Sequence, residues 1–268
     1  MPELPDVENY ARYLRRNALH QAVRRAEIGS TKIVSGISGR RLASRLKGRR
    51  IERARRHGKH LFAALDKEGW LAMHFGMTGR LKYFKDMKDD PEHDRLRLDF
   101  KNGNHLAFDN QRMFGRIRLI DDPDDFIEEK HLGPDALDPK LDRKSLAERI
   151  RHRDRSIKAA LMDQKLLAGI GNIYSDEILF QARLHPNRRT HSLDEKEISC
   201  LHRMMRRVLC TAIRNGAGTA DVARKLPDGY LLPHRKRGAS CPRCGGKVRA
   251  IKAAGRTAYY CPRCQQKR

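Results

Sequence analysis

The residues best suited to chemistry open the chain, in the run Met1-Pro2-Glu3-Leu4-Pro5-Asp6-Val7-Glu8. Met1 precedes a small residue, so its removal is expected, which leaves Pro2 with a free secondary amine. Such an amine has a pKa of about 8, against about 10.4 for lysine, so a useful fraction is nucleophilic at neutral pH. Attack of a secondary amine on an aldehyde carbon gives a positively charged iminium, an effective electron sink. Glu3 stands beside it, placed to exchange protons with whatever the amine attacks. The ordinary alternative is a trimmed terminus followed by a proline-capped helix.

A second chemistry lies at the other end, in Cys241-Pro242-Arg243-Cys244 and Cys261-Pro262-Arg263-Cys264. Two CxxC pairs with a short intervening stretch suit a closed, tetrahedral, structural zinc site. Four thiolates leave no open position for catalysis. Two knuckles around one ion fold the intervening chain into a hairpin, with Arg256 near its far end. The finger's basic residues suit contact with phosphate.

Between these ends, Gly169-Ile170-Gly171-Asn172 has the form of a turn linking helices. Its glycines also permit close backbone approach, and its amides would suit a phosphate at the following helix N-terminus, with Asn172 adding a side-chain donor. Lys59, His74 with Met77, and Gln111-Arg112-Met113-Phe114-Gly115 form a third group. Singly, each of these residues reads as structural. Met77 and Phe114 nonetheless both adjoin turn-forming glycine, and an apolar tip on a turn near an arginine suits wedging into a base stack.

The positioning elements follow from pattern. Pro5 and Asp6 mark a helix start, and Val7, Tyr10, Ala11, Leu14 and Ala18 repeat at helical spacing. Short alternating segments then suggest strands at Arg50–Arg55, His60–Asp66, Trp70–Phe75, Arg80–Lys85, Arg95–Lys101, His105–Asp109 and Arg116–Ile120, with a hairpin at Asn102-Gly103-Asn104. An antiparallel β-sandwich or barrel fits this spacing. After a hinge at Leu132-Gly133-Pro134 the pattern turns helical, at Arg143–His152, Ser156–Leu167, Tyr174–Leu184 and Leu193–Arg214. The last is opened by Ser192-Leu193-Asp194-Glu195, read as a capping box. Cys200 and Cys210 on that helix read as core cysteines, and Asn215–Ser240 as a linker.

Composition narrows the partner. The chain has 268 residues, enough for two domains with cores, and 58 Lys plus Arg against 33 Asp plus Glu give a net charge of +25. Such a balance points to nucleic acid. An aromatic content of 6% argues against a single-strand stacking platform as the main binding surface. Metal-type cysteine usage fits a reducing compartment, and no apolar run approaches transmembrane length.

Met1–Glu8, His74–Gly79, Arg112–Gly115, Leu161–Glu177 and the paired CxxC finger resemble, in order and along nearly the whole chain, the formamidopyrimidine-DNA glycosylase and endonuclease VIII family. The PELP start, the HFGMTG turn and the RMFG stretch are closer to the formamidopyrimidine branch. The resemblance implies an α+β protein: an N-terminal helix plus antiparallel β-sandwich (residues 1–132), a helix–two-turn–helix domain (133–237) and a four-cysteine zinc hairpin finger (238–268). It implies a monomeric, intracellular base-excision-repair enzyme, cytoplasmic and nucleoid-associated, acting as glycosylase and abasic-site lyase on double-stranded DNA with oxidised bases or abasic sites, with no membrane partner. Pro2 would be the nucleophile, Glu3 its acid/base partner and Lys59 a stabiliser of charge at the sugar. Met77, Arg112 and Phe114 would fill the space left by the flipped nucleotide, while His74, Asn172 and Arg256 hold phosphates. One zinc ion would sit on Cys241, Cys244, Cys261 and Cys264. Oxidised purines (formamidopyrimidines, 8-oxoguanine or its further oxidation products) are the expected substrates, with strand cleavage by β,δ-elimination; an endonuclease VIII-like preference for oxidised pyrimidines and a catalytically silent damage-binding protein are the alternatives. Three positions depart from the family pattern: aspartate at 6, methionine at 113, and a short 215–240 segment where related enzymes carry a lesion-capping loop.

Overall fold

A computed structural model describes residues 1–151, 154–218 and 225–267. In chain order the elements are α1 (Leu4–Asn17), β1 (Val23–Glu27), β2 (Val34–Ser35), α2 (Gly39–Leu46), β3 (Ile51–His57), β4 (His60–Leu65), β5 (Trp70–His74), β6 (Arg80–Phe84), β7 (Asp94–Phe100), β8 (His105–Asp109), β9 (Arg116–Ile120), α3 (Pro123–Glu129), α4 (Arg143–Arg151), α5 (Ile157–Met162), α6 (Asn172–Gln181), α7 (Glu195–Arg214), β10 (Arg249–Ala253) and β11 (Arg256–Tyr260). None of the described helices is long and apolar enough to cross a membrane.

The chain forms two compact units. One holds Met1–Pro2 and Asp6–His131; the other holds Glu3–Pro5 and Leu132–Arg268. The first is a β-sandwich of a four-stranded sheet, β1-β7-β8-β6, and a five-stranded sheet, β2-β9-β5-β4-β3. All pairs are antiparallel except the two-residue β2, which lies parallel to β9. Period-2 alternation sorts the side chains: Leu61, Ala63 and Leu65 of β4 join a core with Val7, Ala11 and Leu14 of α1, while Phe62 and Ala64 face the opposite side with Trp70, Ala72 and Phe126. Asn102-Gly103-Asn104 turns β7 into β8, with Gly103 at φ +82° and the Asn104 amide donating to the Asn102 side chain.

The second unit packs α4 to α7 around Leu161, Ile178, Leu201, Met205 and Leu209, and Leu4 is buried in this same core. Sequence and structure differ at several points here. The helix expected over Ser156–Leu167 stops at Met162, because Asp163 turns its carboxylate to the Lys165 amide and to Arg155. The cap of α7 is Asp194 with Glu197, since the Ser192 hydroxyl is engaged by Arg188 and the Arg189 carbonyl. Cys210 is exposed and Cys200 half-buried, so neither is a fully buried core thiol. The expected linker, where described, is docked: Tyr230 and Leu231 are buried, and the Leu231 and Leu232 amides donate to Glu177. Residues 219–224, within the segment read as a shortened loop, and His152, at the expected end of α4, lie outside the described residues.

Candidate functional site

In the second unit, Glu3 is 2% exposed and occupies the start of α6. Its Oε2 accepts from the Gly171 amide at 2.7 Å and the Tyr174 amide at 3.2 Å, and its Oε1 from the Ile173 amide at 2.8 Å. Gly171 offers α6 no side-chain cap, so a carboxylate from the far end of the chain satisfies the orphan donors of the first turn and faces the positive end of the helix dipole. The glycines make this approach possible. A Cβ on Gly171 would lie 2.5 Å from the Glu3 carboxyl carbon, and one on Gly169, at φ +116°, would lie 2.6 Å from Leu4 Cδ1. The sequence reading offered these amides to a phosphate; the structure gives three of them to Glu3. Asn172 keeps its Oδ1 buried without a partner, which leaves Nδ2 as the end able to donate to a ligand.

Behind this cradle lies an ion network that the sequence reading missed. Lys158 is fully buried, 2.5 Å from Asp176 Oδ1, and also donates to the Asn172 carbonyl and Ser175 Oγ. Asp176 Oδ2 accepts from Arg235 at 2.9 Å and from the Tyr259 amide of β11 at 3.1 Å. Burial lowers the Lys158 pKa, while Asp176 opposes that shift. The first turn of α6 is therefore fixed to α5, to the docked 230–235 segment and to the hairpin. Its only sequence signal was a lysine and an aspartate on helices that otherwise bury apolar residues. Glu177, one residue on, is pushed up to about 7 by burial.

The four cysteine sulfurs, on Cys241, Cys244, Cys261 and Cys264, all lie within 4.8 Å of one another. Tetrahedral thiolates at about 2.3 Å from zinc stand about 3.8 Å apart, and Cys241 and Cys264 are separated by 3.8 Å and Cys244 and Cys261 by 3.5 Å. The donor set and spacing fit zinc. The knuckles pack with Val248, Leu231 and Phe180 of α6, and Arg243 stacks 4.4 Å above the Phe180 ring. Arg256 is exposed and begins β11 next to the hairpin turn.

In the first unit, Pro2 is half-buried and Lys59 is buried in the turn Gly58-Lys59 between β3 and β4. Glu8 of α1 accepts from Arg56, which also donates to the Gly58 carbonyl, so α1 braces the turn that carries Lys59. His74 ends β5, and its Nδ1 accepts from the Gly76 amide at 3.2 Å, which puts the ring proton on Nε2. Burial, then the neighbouring cations Lys59 and Arg116, lower its pKa to about 4, so at neutral pH it is an uncharged donor.

Met77 is 39% exposed and Phe114 53% exposed, in a protein that buries most of its large apolar side chains. Arg112 lies 5.3 Å above the Phe114 ring. Both loops hang on the fully buried Asn110, whose Nδ2 donates to the Phe75 carbonyl and whose Oδ1 accepts from the Gly115 amide. A Cβ on Gly76 would sit 2.4 Å from the Phe114 carbonyl carbon, so the two backbones touch there. Met113, at φ +51°, packs against the sandwich core rather than facing outward. Asn110 escaped the sequence reading because one asparagine before a turn is an ordinary sight.

Three family models match the chain: "Formamidopyrimidine-DNA glycosylase N-terminal domain" over residues 1–117, "Formamidopyrimidine-DNA glycosylase H2TH domain" over 132–223, and "Zinc finger found in FPG and IleRS" over 240–267. Formamidopyrimidine-DNA glycosylases of Pelotomaculum thermopropionicum and Thermomicrobium roseum are 34% and 38% identical, each over 99% of both chains. A Lactococcus lactis formamidopyrimidine-DNA glycosylase bound to abasic-site DNA matches with a TM-score of 0.89 at 32% identity, over 99% of this chain and 100% of that one. The same enzyme in complex with FAPY-dG-containing DNA matches with a TM-score of 0.88 at 31% identity, over the same shares. The cysteine cluster and the finger model together establish one structural zinc ion.

Proposed function

Because the chain belongs to the formamidopyrimidine-DNA glycosylase family, we propose that it is a base-excision-repair glycosylase and abasic-site lyase acting on oxidised purines in double-stranded DNA. The observation that carries this reading is the Glu3 carboxylate, buried and held by three amides one peptide bond from Pro2. In this reading residues 1–132 form the catalytic sandwich, 133–237 the helix–two-turn–helix domain and 238–268 the zinc hairpin.

The damaged base first leaves the stack, which costs a few kcal/mol in typical cases. Met77, Phe114 and Arg112 offset that cost by filling the gap, while the neutral Nε2–H of His74, the Asn172 amide and Arg256 hold the kinked backbone. The Pro2 nitrogen, freed of Met1, then gives its lone pair to C1′. The glycosidic bond breaks with its electron pair on the departing base, which takes up a proton; the Pro2 nitrogen then gives up its own proton, and the C1′–O4′ bond breaks with its pair on O4′, which is protonated, leaving an open-chain iminium at C1′. Glu3, held by three amides next to Pro2, stabilises the forming cation and relays protons; Lys59 balances charge at the sugar and phosphate. The iminium acidifies C2′, so loss of that proton expels the 3′ phosphate, and a second proton loss expels the 5′ phosphate. Water on the remaining iminium restores the Pro2 amine. The zinc supplies no step and holds the hairpin shape.

Borohydride trapping on duplexes containing formamidopyrimidine, 8-oxoguanine, dihydrouracil or a plain abasic site tests this reading. A covalent adduct mapped to Pro2, formed fastest on formamidopyrimidine and abasic sites, is the expected result. No adduct on any duplex, with Met1 absent and DNA binding intact, would leave a silent damage-binding protein.

A further inference from the structure

The longest helix, α7, carries a line of cations that the proposed reaction leaves unused. Lys196, Arg203, Arg207 and Arg214 are all exposed on it. At about 3.6 residues per turn their directions fall within about 40° of one another, and at about 1.5 Å per residue the line runs for about 27 Å. The opposite face of α7 holds Ile198, Leu201, Met205 and Leu209 in one core with Leu146 of α4 and Ile178 of α6. The line therefore points away from α6, whose first turn carries Asn172.

No acid answers this charge among the described residues. The two acids of α7 are engaged elsewhere, Glu195 by Arg151 at 2.8 Å and Glu197 by Arg188 at 3.2 Å. Lys196, Arg203 and Arg207 pair with no acid among the described residues, and Arg214 donates to Thr211 Oγ1 at 3.4 Å. Arg203 and Arg207 stand four residues apart, a spacing at which like charges disfavour a helix. The apolar face holds α7 together against that repulsion, and the exposed face is left attractive to anions.

The form of the line selects the anion. A straight row of cations without a pocket suits an extended, regular polyanion, and guanidinium groups suit phosphate oxygens. A membrane surface would also need apolar side chains beside the cations. The exposed large apolar residues among those described, Met1, Met77, Met87 and Phe114, all lie outside α7. We infer that α7 is a second duplex-binding surface, with which one chain holds an undamaged DNA segment while Asn172 and Arg256 hold another. This rests on the DNA contacts proposed above for the first segment. Held by both, the protein passes between segments without release into solvent.

The test mixes full-length, zinc-loaded protein with an abasic duplex and an undamaged duplex that carry different fluorophores, and reads the masses of the complexes by sedimentation. A species of one chain with both duplexes is the expected result. The double variant Arg203→Gln, Arg207→Gln should lower capture of the undamaged duplex at least ~10-fold and make its log–log salt dependence shallower by about 2. Affinity for the abasic duplex and the rate of borohydride trapping should stay as in the wild type, and Arg203→Lys with Arg207→Lys should keep the capture. Absence of the three-part complex, two chains within it, capture indifferent to the glutamine variant, or a preference of the line for phosphatidylserine vesicles over duplex would overturn the inference. Trapping read on the same samples keeps the two readings apart: lost trapping with the three-part complex intact would strike the lyase reading and leave this one standing.

Discussion

The Glu3 carboxylate and the Gly171 amide, 168 residues apart in sequence, meet at 2.7 Å. A Cβ on Gly171 would occupy the place of the carboxyl group, and the backbone there is extended, so alanine is conformationally tolerable. Gly171→Ala is therefore expected to displace Glu3 rather than unfold the helix. Incision of abasic duplex should fall by roughly 10²-fold or more, the scale of a lost acid–base group, with only a small drop in melting temperature. Wild-type incision rates for this variant would contradict the role given to the cradle.

Met77 and Phe114 are expected to separate binding from stability. Alanine at either exposed position should leave the melting temperature within about 1–2 °C and weaken lesion-duplex binding by about 10-fold, the scale of a lost wedge. Asn110→Ala should behave differently, because it strips partners from the buried Phe75 carbonyl and Gly115 amide. A stability loss of about 2–4 kcal/mol in denaturant titration is expected, together with the binding defect.

The titrating groups of the two units push stability in opposite directions. Glu177, raised to about 7, holds a proton in the folded state that the unfolded chain releases above its ordinary carboxylate range. Its stabilising contribution is complete at low pH and is lost as pH rises toward 7. His60 and His74, lowered to about 3 and about 4, bind fewer protons folded than unfolded, so their contribution is complete above pH 6.5 and is lost on acidification. Glu177→Gln should flatten the stability–pH slope between pH 4.5 and 7, and His60→Phe should reduce acid sensitivity below pH 6.5. Thermal melts across this range, with unchanged slopes in both variants, would show these assignments to be wrong.

Zinc removal should reach beyond the finger. The knuckles pack with Phe180 and Leu231, and β11 donates to Asp176 behind the Glu3 cradle. Chelation, or Cys264→Ser, is expected to lower the melting temperature and to slow borohydride trapping at saturating DNA, not only to weaken binding. Trapping at full rate in zinc-free protein would confine the metal's role to the hairpin.

Much of this architecture was legible in local pattern. The strand at His60–Asp66 is readable from its apolar residues Leu61, Phe62, Ala63 and Ala64, which the fold buries on both faces, and the two CxxC pairs give away the knuckles. The short elements were harder. β1 carries Arg24, Arg25 and Glu27 in five residues, and α2 is too brief and arginine-rich for its period to stand out. α3 was missed despite a readable signal, Asp122 as N-cap before Pro123. Pro2, Glu3 and Lys59 were nameable as candidates from the chain, but the cradle around Glu3 was not. Its donors are backbone amides brought from another part of the chain by the tertiary fold, and amides leave no mark in residue types.

The second unit cannot close without Glu3–Pro5, since Leu4 sits in its core and the Leu4 amide donates to the Gly169 carbonyl. On the ribosome, Glu3 is made long before the Gly171 and Tyr174 amides that will grip it. At roughly 5–20 residues per second, the interval is on the order of 10–30 s. Throughout that time Glu3 lacks the amide partners that α6 will bring to it. Glu3 is gripped only when α6 emerges, so the nascent chain carries the proposed nucleophile and its acid before the cradle that orders them exists.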